Sequence, residues 1–380
     1  MKRITKSMVW LAAIMVLAFS VKANHHTPKE KKTKIQAAIL LDVSNSMDGL
    51  IEQAKAQLWN MVSVMGKAKC EGVTPDIEIA LYEYGRTSNE AQNGYVKQIS
   101  GFTTDLDQLS KSLFSLTTYG GAEYCGHVIH NAISELNWDA DTGSYKVIFI
   151  AGNEDFLQGN ISFTQACTEA AAKGVVVNTI YCGDRMQGIK EHWNLGVECG
   201  KGSFTNINSD AKIEDTPTPY DSLLLSLNDK LNYTYVGYGA TGAAKMQEQA
   251  SVDKMNYTMS KSAAVKRATV KGKKEIYRNS SWDLVEAAES DSTLIARIDI
   301  KSLPDSLQKK SRLEIAKIIQ EKQKSRGKIQ QDIEKAGKAR ETWLAEDRKK
   351  NANATKTNTL ETEVEKIIRS QASKHRMTIE

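Results

Sequence analysis

Three side chains that end in oxygen stand two residues apart in the segment Asp42-Val43-Ser44-Asn45-Ser46. One carboxylate and two hydroxyls are hard ligands of the kind that Mg²⁺, Mn²⁺ and Ca²⁺ prefer, and Mg²⁺ keeps part of its coordination sphere filled with water. An ion held by few protein charges stays electrophilic and can accept a carboxylate from another molecule. The same residues can also begin a helix, with Ser44 or Ser46 as N-cap and Asp42 favoured by the helix dipole. The pentapeptide alone is therefore compatible with either a metal site or a capped helix.

The elements around this segment predict where it lies. A nearly unbroken apolar run without charge, Ile35–Leu41, leads directly to Asp42, as expected of a strand buried on both faces. Further runs predict strands at Ile77–Tyr82, Tyr95–Ile99, Val147–Ala151, Val175–Tyr181 and Ser203–Ile207. Apolar residues between them recur at three and four residues, which predicts helices. The alternation predicts an α/β fold with a Rossmann-like, doubly wound, mostly parallel sheet.

In such sheets, ligands bind beyond the carboxyl ends of the strands. That rule selects Asp42 and the loops at Gly120-Gly121 and Asn153. Three cysteines are expected near the same edge, namely Cys125, Cys167 and Cys182. We predict one disulfide among the three, with the pair left open and buried free thiols as the alternative.

The order of these features resembles the von Willebrand factor A (VWA) domain. The resemblance covers about Lys34 to Asp210, and we assign a VWA-like domain to residues 34–212. In that family, a D-x-S-x-S motif such as Asp42, Ser44 and Ser46 forms the first loop of a metal-ion-dependent adhesion site (MIDAS). The resemblance implies that Mg²⁺, Mn²⁺ or Ca²⁺ bridges the domain to an acidic side chain on a protein partner.

The other two loops depart from the family pattern. Glu123 follows Gly120-Gly121 where the family has threonine, and Asn153 stands where the third loop usually has aspartate. One negative charge has therefore moved from the third loop to the second. The resemblance implies five metal ligands, Asp42, Ser44, Ser46, Glu123 and Asn153, and three alternative ligands, Thr118, Glu154 and Asp155.

The first 23 residues are typical of a secretory signal peptide. Three cations precede the apolar run Met8–Val21, and small residues flank the predicted cleavage site after Ala23. The run is shorter than the ~20 apolar residues that span a bilayer, and no lipobox cysteine lies near the cut. We therefore expect export, with the mature protein secreted, periplasmic or in the cell envelope, no transmembrane span after cleavage, and a flexible segment at residues 24–33.

The second half of the chain has a different charge and pattern. Acidic residues are in excess from Asn24 to Lys212 and basic residues from Ile213 to Glu380. We predict a mixed α/β connecting region at residues 213–302, with a helix at Tyr220–Leu231 and a strand at Tyr233–Tyr238. Charged amphipathic helices are expected at residues 303–380. The net charge of +5 is too small for this length to imply a nucleic-acid partner.

These features narrow the classes of function. A hydrophobic content of 41% and 26% charged residues exclude a polytopic membrane protein. No P-loop, G-x-S-x-G or H-E-x-x-H motif is present, and Ser44 stands where D-x-D phosphohydrolases have their general acid. We therefore expect a non-enzymatic, exported binding or adhesion protein. The alternative is a metal-independent envelope scaffold whose basic helical half binds a partner or an anionic envelope polymer.

Overall fold

The computed structural model describes residues 32–211, 216–350 and 360–379. Its strands are β1 Lys34–Asp42, β2 Ala68–Cys70, β3 Asp76–Tyr84, β4 Lys97–Thr103, β5 Tyr145–Gly152, β6 Val176–Cys182, β7 Lys201–Ile207 and β8 Met377–Ile379. The helices of the first half are α1 Asp48–Met65, α2 Leu106–Phe114, α3 Cys125–Glu135, α4 Phe163–Ala172, α5 Arg185–Lys190 and α6 Leu195–Gly200. Those of the second half are α7 Asp221–Asn232, α8 Gly242–Met259, α9 Lys261–Lys271, α10 Leu284–Ser290, α11 Leu294–Arg297, α12 Asp305–Gln308, α13 Arg312–Lys350 and α14 Leu360–Ala372.

Six strands form one sheet in the order β4-β3-β1-β5-β6-β7. All neighbours are parallel except β4, which pairs antiparallel with β3 at the edge. The apolar strand β1 lies in the centre, with Asp42 beside Tyr84 of β3 and Leu41 beside Ala151 of β5. The predicted doubly wound, mostly parallel sheet is confirmed, and Asp42 ends its central strand.

The two faces of the sheet bury separate apolar clusters. Leu41, Leu50 and Trp59 belong to the cluster on the face covered by α1, whereas Leu40 and Val128 belong to the cluster on the α3 face. Alternate residues of β1 point to opposite faces, so both clusters draw on the same strand. Full burial of one large aliphatic side chain contributes about 1.5–3 kcal/mol. The strand that carries Asp42 is therefore held from both sides.

The last helix of the chain completes the α/β domain. Helix α14 packs against α1 and β7, and its Ile368 is fully buried in the same cluster as Trp59. Gln371 exchanges hydrogen bonds with Asn178 of β6 at 2.7 and 3.2 Å. Strand β8 then pairs with β2 beyond α1. The helices α7–α13, which we call the helical region, therefore lie in the chain between the last sheet strand and the helix that covers it.

The structure of the helical region differs from the mixed α/β region predicted from the sequence. Helix α7 confirms the predicted helix at Tyr220–Leu231, but Tyr233–Tyr238 is not a strand. The segment makes a single bridge, Gly237 with Asp283, and Val236 donates its N–H to the Asp283 carboxylate at 2.9 Å. A side chain satisfies the backbone there instead of a neighbouring strand. Over its described part, the region 213–302 is accordingly helical rather than mixed α/β.

A buried ionic network joins the helical region to the α/β domain. Arg267 of α9 has a side chain 1% exposed and pairs with Asp107 of α2 and Asp253 of α8. Its guanidinium lies 4.5 Å from the ring centroid of Trp59, while Lys271 pairs with Asp253 at 2.9 Å. Burial alone would raise the pKa of Asp253, but the charges of Arg267 and Lys271 lower it. The network is fully paired and bridges both parts of the chain.

Replacing Arg267 by methionine should destabilise the protein by about 3–5 kcal/mol, because two buried carboxylates lose their shared cation. Urea unfolding measures the change in the free energy of unfolding. Arg297→Met is the matched control, since the pair of Arg297 with Asp291 is exposed and should cost less than about 1 kcal/mol. Equal losses in the two variants would contradict a structural role for the network.

Candidate functional site

Asp42 is fully buried at the carboxyl end of β1. Its Oδ1 accepts a hydrogen bond from the Ser44 N–H at 2.7 Å, which turns the chain out of the strand. Its Oδ2 is buried and has no hydrogen-bond donor within the described residues. A buried carboxylate oxygen without a donor carries a desolvation penalty that a cation or a proton removes.

The two serines of the D-x-S-x-S motif face each other and the third loop. Ser44 Oγ lies 3.2 Å from Ser46 Oγ, and Ser46 Oγ lies 3.3 Å from Oδ1 of Asn153, directly after β5. Neither hydroxyl caps a helix, because the short turn Asn45–Met47 and helix α1 both begin without a side-chain cap. The capped-helix alternative is therefore wrong, and the hydroxyls remain directed toward the other loops.

Glu123 brings a second carboxylate against Asp42. It is 3% exposed and lies beside the side chains of Asp42 and Ser44 and the backbone of Glu154, all of which influence its pKa. Its Oε2 has no donor in the described part of the chain. Burial, followed by the charge of Glu123, raises the pKa of Asp42, and burial also raises the pKa of Glu123. Two carboxylates therefore share one desolvated position.

Two glycines that sequence reasoning missed keep space for this pair. A Cβ on Gly85, whose φ is +87°, would lie 2.6 Å from Asp42 Oδ1. A Cβ on Gly152 would lie 2.4 Å from the Tyr84 hydroxyl and 3.1 Å from Asp42 Oδ2. Gly85 directly follows β3 and Gly152 ends β5, so a glycine closes each strand beside β1. A glycine at the end of a strand indicates that the backbone lies close to another group. The two glycines after apolar strands were therefore a signal that the sequence contained.

The structure brings the five expected ligands together and places the alternatives differently. Thr118 donates its hydroxyl hydrogen bond to Asp48. Asp155 accepts from the Leu157 N–H at 3.0 Å and lies 2.9 Å from the His192 ring. Glu154 reaches Glu123 through its backbone. Thr118 and Asp155 thus have partners outside the cluster, to which we refer as the oxygen cage: Asp42, Ser44, Ser46, Glu123 and Asn153.

The donor set of the oxygen cage suits a hard divalent cation. It combines two carboxylates, two hydroxyls and one amide oxygen, all oxygen ligands, and both carboxylates keep a buried oxygen without a donor. In the described ranges, no three His, Cys, Asp or Glu side chains converge on one position, so a cation in the cage would depend on the hydroxyl and amide oxygens as well as on the two carboxylates. The residues present therefore fit a divalent cation that accepts oxygen ligands.

The fold and the position of the oxygen cage together identify the type of domain. A D-x-S-x-S loop ends the central strand of a parallel sheet that has one antiparallel edge strand, and the Gly120-Gly121 and Asn153 loops lie beside it. Residues 34–211 with α14 form a VWA-like domain. The resemblance found in the sequence is thereby confirmed at the level of fold.

Comparisons with known proteins add structures of low similarity. Proximal thread matrix protein 1 from the mussel byssus, with a zinc-occupied MIDAS motif, is 14% identical over 46% of this chain and 42% of that one, with a TM-score of 0.35. BatB from Bacteroides thetaiotaomicron is 15% identical over 58% of this chain and 99% of that one, with a TM-score of 0.35. The pilus adhesin SpaC from Lactobacillus rhamnosus GG is 12% identical over 48% and 29%, also at 0.35. The sequence matches no family model and no curated protein.

The predicted disulfide in the VWA-like domain is not formed. Cys125 and Cys182 are free thiols, and every pair among the three cysteines includes one of these two. Cys125 belongs to the cluster on the α3 face and Cys182 to the cluster on the α1 face, so the sheet separates them. The Cys167 sulfur lies 3.8 Å from the Gly196 carbonyl. The expectation failed because lying near the same edge does not bring the sulfurs together: Cys182 is on the opposite face from Cys125, and the Cys125 sulfur lies 3.9 Å from the Tyr84 hydroxyl.

The carboxyl pair predicts an unusual dependence of stability on pH. In chelator, the folded state holds its protons more tightly than the unfolded state, because the pKa values of Asp42 and Glu123 are raised. The free energy of unfolding should therefore fall as pH rises above about 4, where the carboxyl groups of the unfolded chain lose their protons. Glu123→Gln should reduce this fall, whereas Glu289→Gln, at an exposed position, should leave it unchanged. Denaturant unfolding at several pH values measures both slopes, and equal slopes would contradict the assignment.

Proposed function

We propose that the oxygen cage holds a divalent cation and uses it to bind an acidic side chain of a protein partner. The observation that carries the proposal is the pair Asp42 and Glu123, which are buried together with an unpartnered oxygen on each carboxylate. A divalent cation cancels their charge and supplies the missing partner for both oxygens. Ser44, Ser46 and Asn153 complete the donor set.

The same donor count supports an open position on the ion. Five side chains form the cage, whereas octahedral Mg²⁺ takes about six ligands and usually retains water. Two carboxylates leave a divalent ion neutral overall but still able to polarise an added oxygen ligand. Exchange of retained water for a partner's carboxylate would link the two proteins through the metal.

The surroundings of the cage support a macromolecular partner. Tyr119 lies in the loop before Glu123 and Leu157 in the loop after Asn153, and the two residues are 56% and 46% exposed. Exposed aromatic and aliphatic side chains next to a polar centre are typical of protein-binding surfaces. We propose that they contact the partner around the metal-bound carboxylate.

Calorimetric titration of Mn²⁺ and of Mg²⁺ tests the metal directly. The parent protein should bind one equivalent, and Asp42→Asn should show at least about a tenfold weaker binding, about 1.4 kcal/mol. Asp210→Asn is the matched control, since it removes a carboxylate at an exposed position. Absence of binding heat in the parent, or equal affinity in the two variants, would contradict the proposal and favour a metal-independent scaffold acting through its basic half.

Water-proton relaxation of the Mn²⁺-loaded protein tests the open position. Retained water exchanging at the ion should enhance relaxation, and added acetate should reduce the enhancement because a carboxylate replaces the water. Chloride at the same ionic strength serves as the control for a general salt effect. An enhancement that acetate leaves unchanged would mean that the ion has a purely structural role.

We also propose that the protein is exported and acts without catalysis. The predicted signal peptide, residues 1–23, lies outside the described residues, and no helix in the described ranges is long and apolar enough to cross a membrane. N-terminal sequencing of the mature protein should begin at Asn24. Retention of the first 23 residues would contradict cleavage.

A further inference from the structure

Further carboxylates lie beside the oxygen cage. Asp48 comes two residues after Ser46, and Glu154 and Asp155 directly follow Asn153. Asp48 and Glu154 are exposed, and Asp155 is partly exposed. Because β1 and β5 are parallel neighbours, the loops that follow them meet at one edge of the sheet. The negative charge of this edge therefore extends beyond the cage itself.

The loop after β6 adds carboxylates to the same edge, since β6 is the parallel neighbour of β5. Burial raises the pKa of Tyr181, and the charges of Glu191, Glu154 and Asp184 raise it further, so these three carboxylates lie near one side chain. The Phe156 N–H donates to the carbonyl of Glu191 at 2.9 Å, which joins the two loops. We call the following residues the acidic rim: Asp48, Glu154, Asp155, Asp184 and Glu191.

The cations in the loops at this edge do not balance the acidic rim. They are Arg86, Arg185, Lys190 and, when protonated, His192. Arg86 pairs with Glu83, which is not part of the rim, and neither cation of α5 forms an ion pair with the rim in the described part of the chain. His192 lies 2.9 Å from Asp155. Five carboxylates against at most three cations leave the rim negatively charged.

A metal ion in the cage would leave this charge in place. A divalent cation neutralises the two carboxylates of the cage, whereas the rim carboxylates remain exposed to an approaching partner. Exposed charges act over about 8 Å at physiological ionic strength, and an extended chain advances about 3.3–3.6 Å per residue. The residues on either side of a metal-bound acid therefore lie within range of the rim.

We infer, on the basis of the metal-dependent binding proposed above, that the partner presents its acidic residue between basic residues. The metal binds the carboxylate of that residue, and lysine or arginine side chains beside it contact the acidic rim. A partner segment that is acidic throughout is repelled by the rim, because like charges brought together across an interface are unfavourable. The rim thereby selects among the many acidic side chains that a metal ion alone would accept.

Competition for the water position of the Mn²⁺-loaded, full-length protein tests this inference. The probes are a blocked pentapeptide with aspartate between two lysines and the same peptide with both lysines acetylated, which removes their charge. Both should lower the water-proton relaxation enhancement, and the lysine peptide should do so at an about threefold to tenfold lower concentration. The formal net charge of the whole chain is +5, so a general attraction would favour the acetylated peptide instead.

A pair of double variants shows whether the preference comes from the rim. Glu154→Gln with Glu191→Gln removes two rim charges and should reduce the ratio between the two peptides to less than about twofold. Glu71→Gln with Glu289→Gln removes two charges at exposed positions, in the turn before β3 and on α10, and should keep the ratio of the parent. Mn²⁺ is kept saturating, so that a change in metal affinity does not enter the comparison.

The outcomes separate this inference from the proposed function. If both peptides displace water from the parent equally, or if the two double variants lower the ratio equally, the inference is wrong while metal-dependent carboxylate binding stands. If neither peptide displaces water, or if the protein binds no Mn²⁺, the proposed function fails and the inference fails with it. The ratio should also vanish at about 1 M salt, where the Debye length is ~3 Å, and a ratio that persists there would overturn the role of the rim.

Discussion

Two buried carboxylates cannot both stay charged against each other in a desolvated position, and the arrangement around Asp42 and Glu123 follows from that constraint. Asp42 is fixed by the central strand, and Glu123 is buried beside it, next to Ser44 and Glu154, so neither carboxylate is in contact with water. The pair must therefore retain a proton or acquire a cation. The two occupants are alternatives at one place, and the raised pKa values describe only the proton-bound alternative. A cation in place of the proton would neutralise both carboxylates. The same negative charges that repel each other would then attract the cation.

The rest of the chain keeps that geometry rigid. Helix α1 begins two residues after Ser46 and packs against α14, α2 and α9, so the loop is attached to a helix held on several sides. Arg267 lies on Trp59 of α1 and pairs with Asp107 of α2. The helical region is therefore a structural part of the VWA-like domain and not a tether attached to it. Because α14 follows the helical region in sequence, the domain reaches its complete core only when the helical region has folded back.

The sequence predicted what depends on local pattern. Uncharged apolar runs identified the strands, and the D-x-S-x-S spacing with the departures at Glu123 and Asn153 selected five residues that lie close together at the end of β1. Prediction from the sequence failed where contacts between residues distant in the chain determine the structure. Tyr233–Tyr238 has strand-like composition, but Asp283 satisfies its backbone. The amphipathic pattern of α14 indicated that the helix packs but not onto which surface. Cys125 and Cys182 share an edge of the sheet but lie on opposite faces. The spacing of residues in the sequence predicts at which edge of the sheet a side chain lies. It does not predict which residues from distant parts of the chain contact that side chain.

Helix α1 connects the oxygen cage with the helical region. Its 18 residues span about 27 Å at ~1.5 Å per residue, with Asp48 at its start near the cage and Trp59 against Arg267 of α9 further along. Over the length of the helix, the direct electrostatic effect of a change in charge at the cage is largely screened. Any coupling between the cage and the helical region therefore has to pass through a displacement of α1, and the packing of α1 against α9 and α14 determines how large a displacement the fold permits.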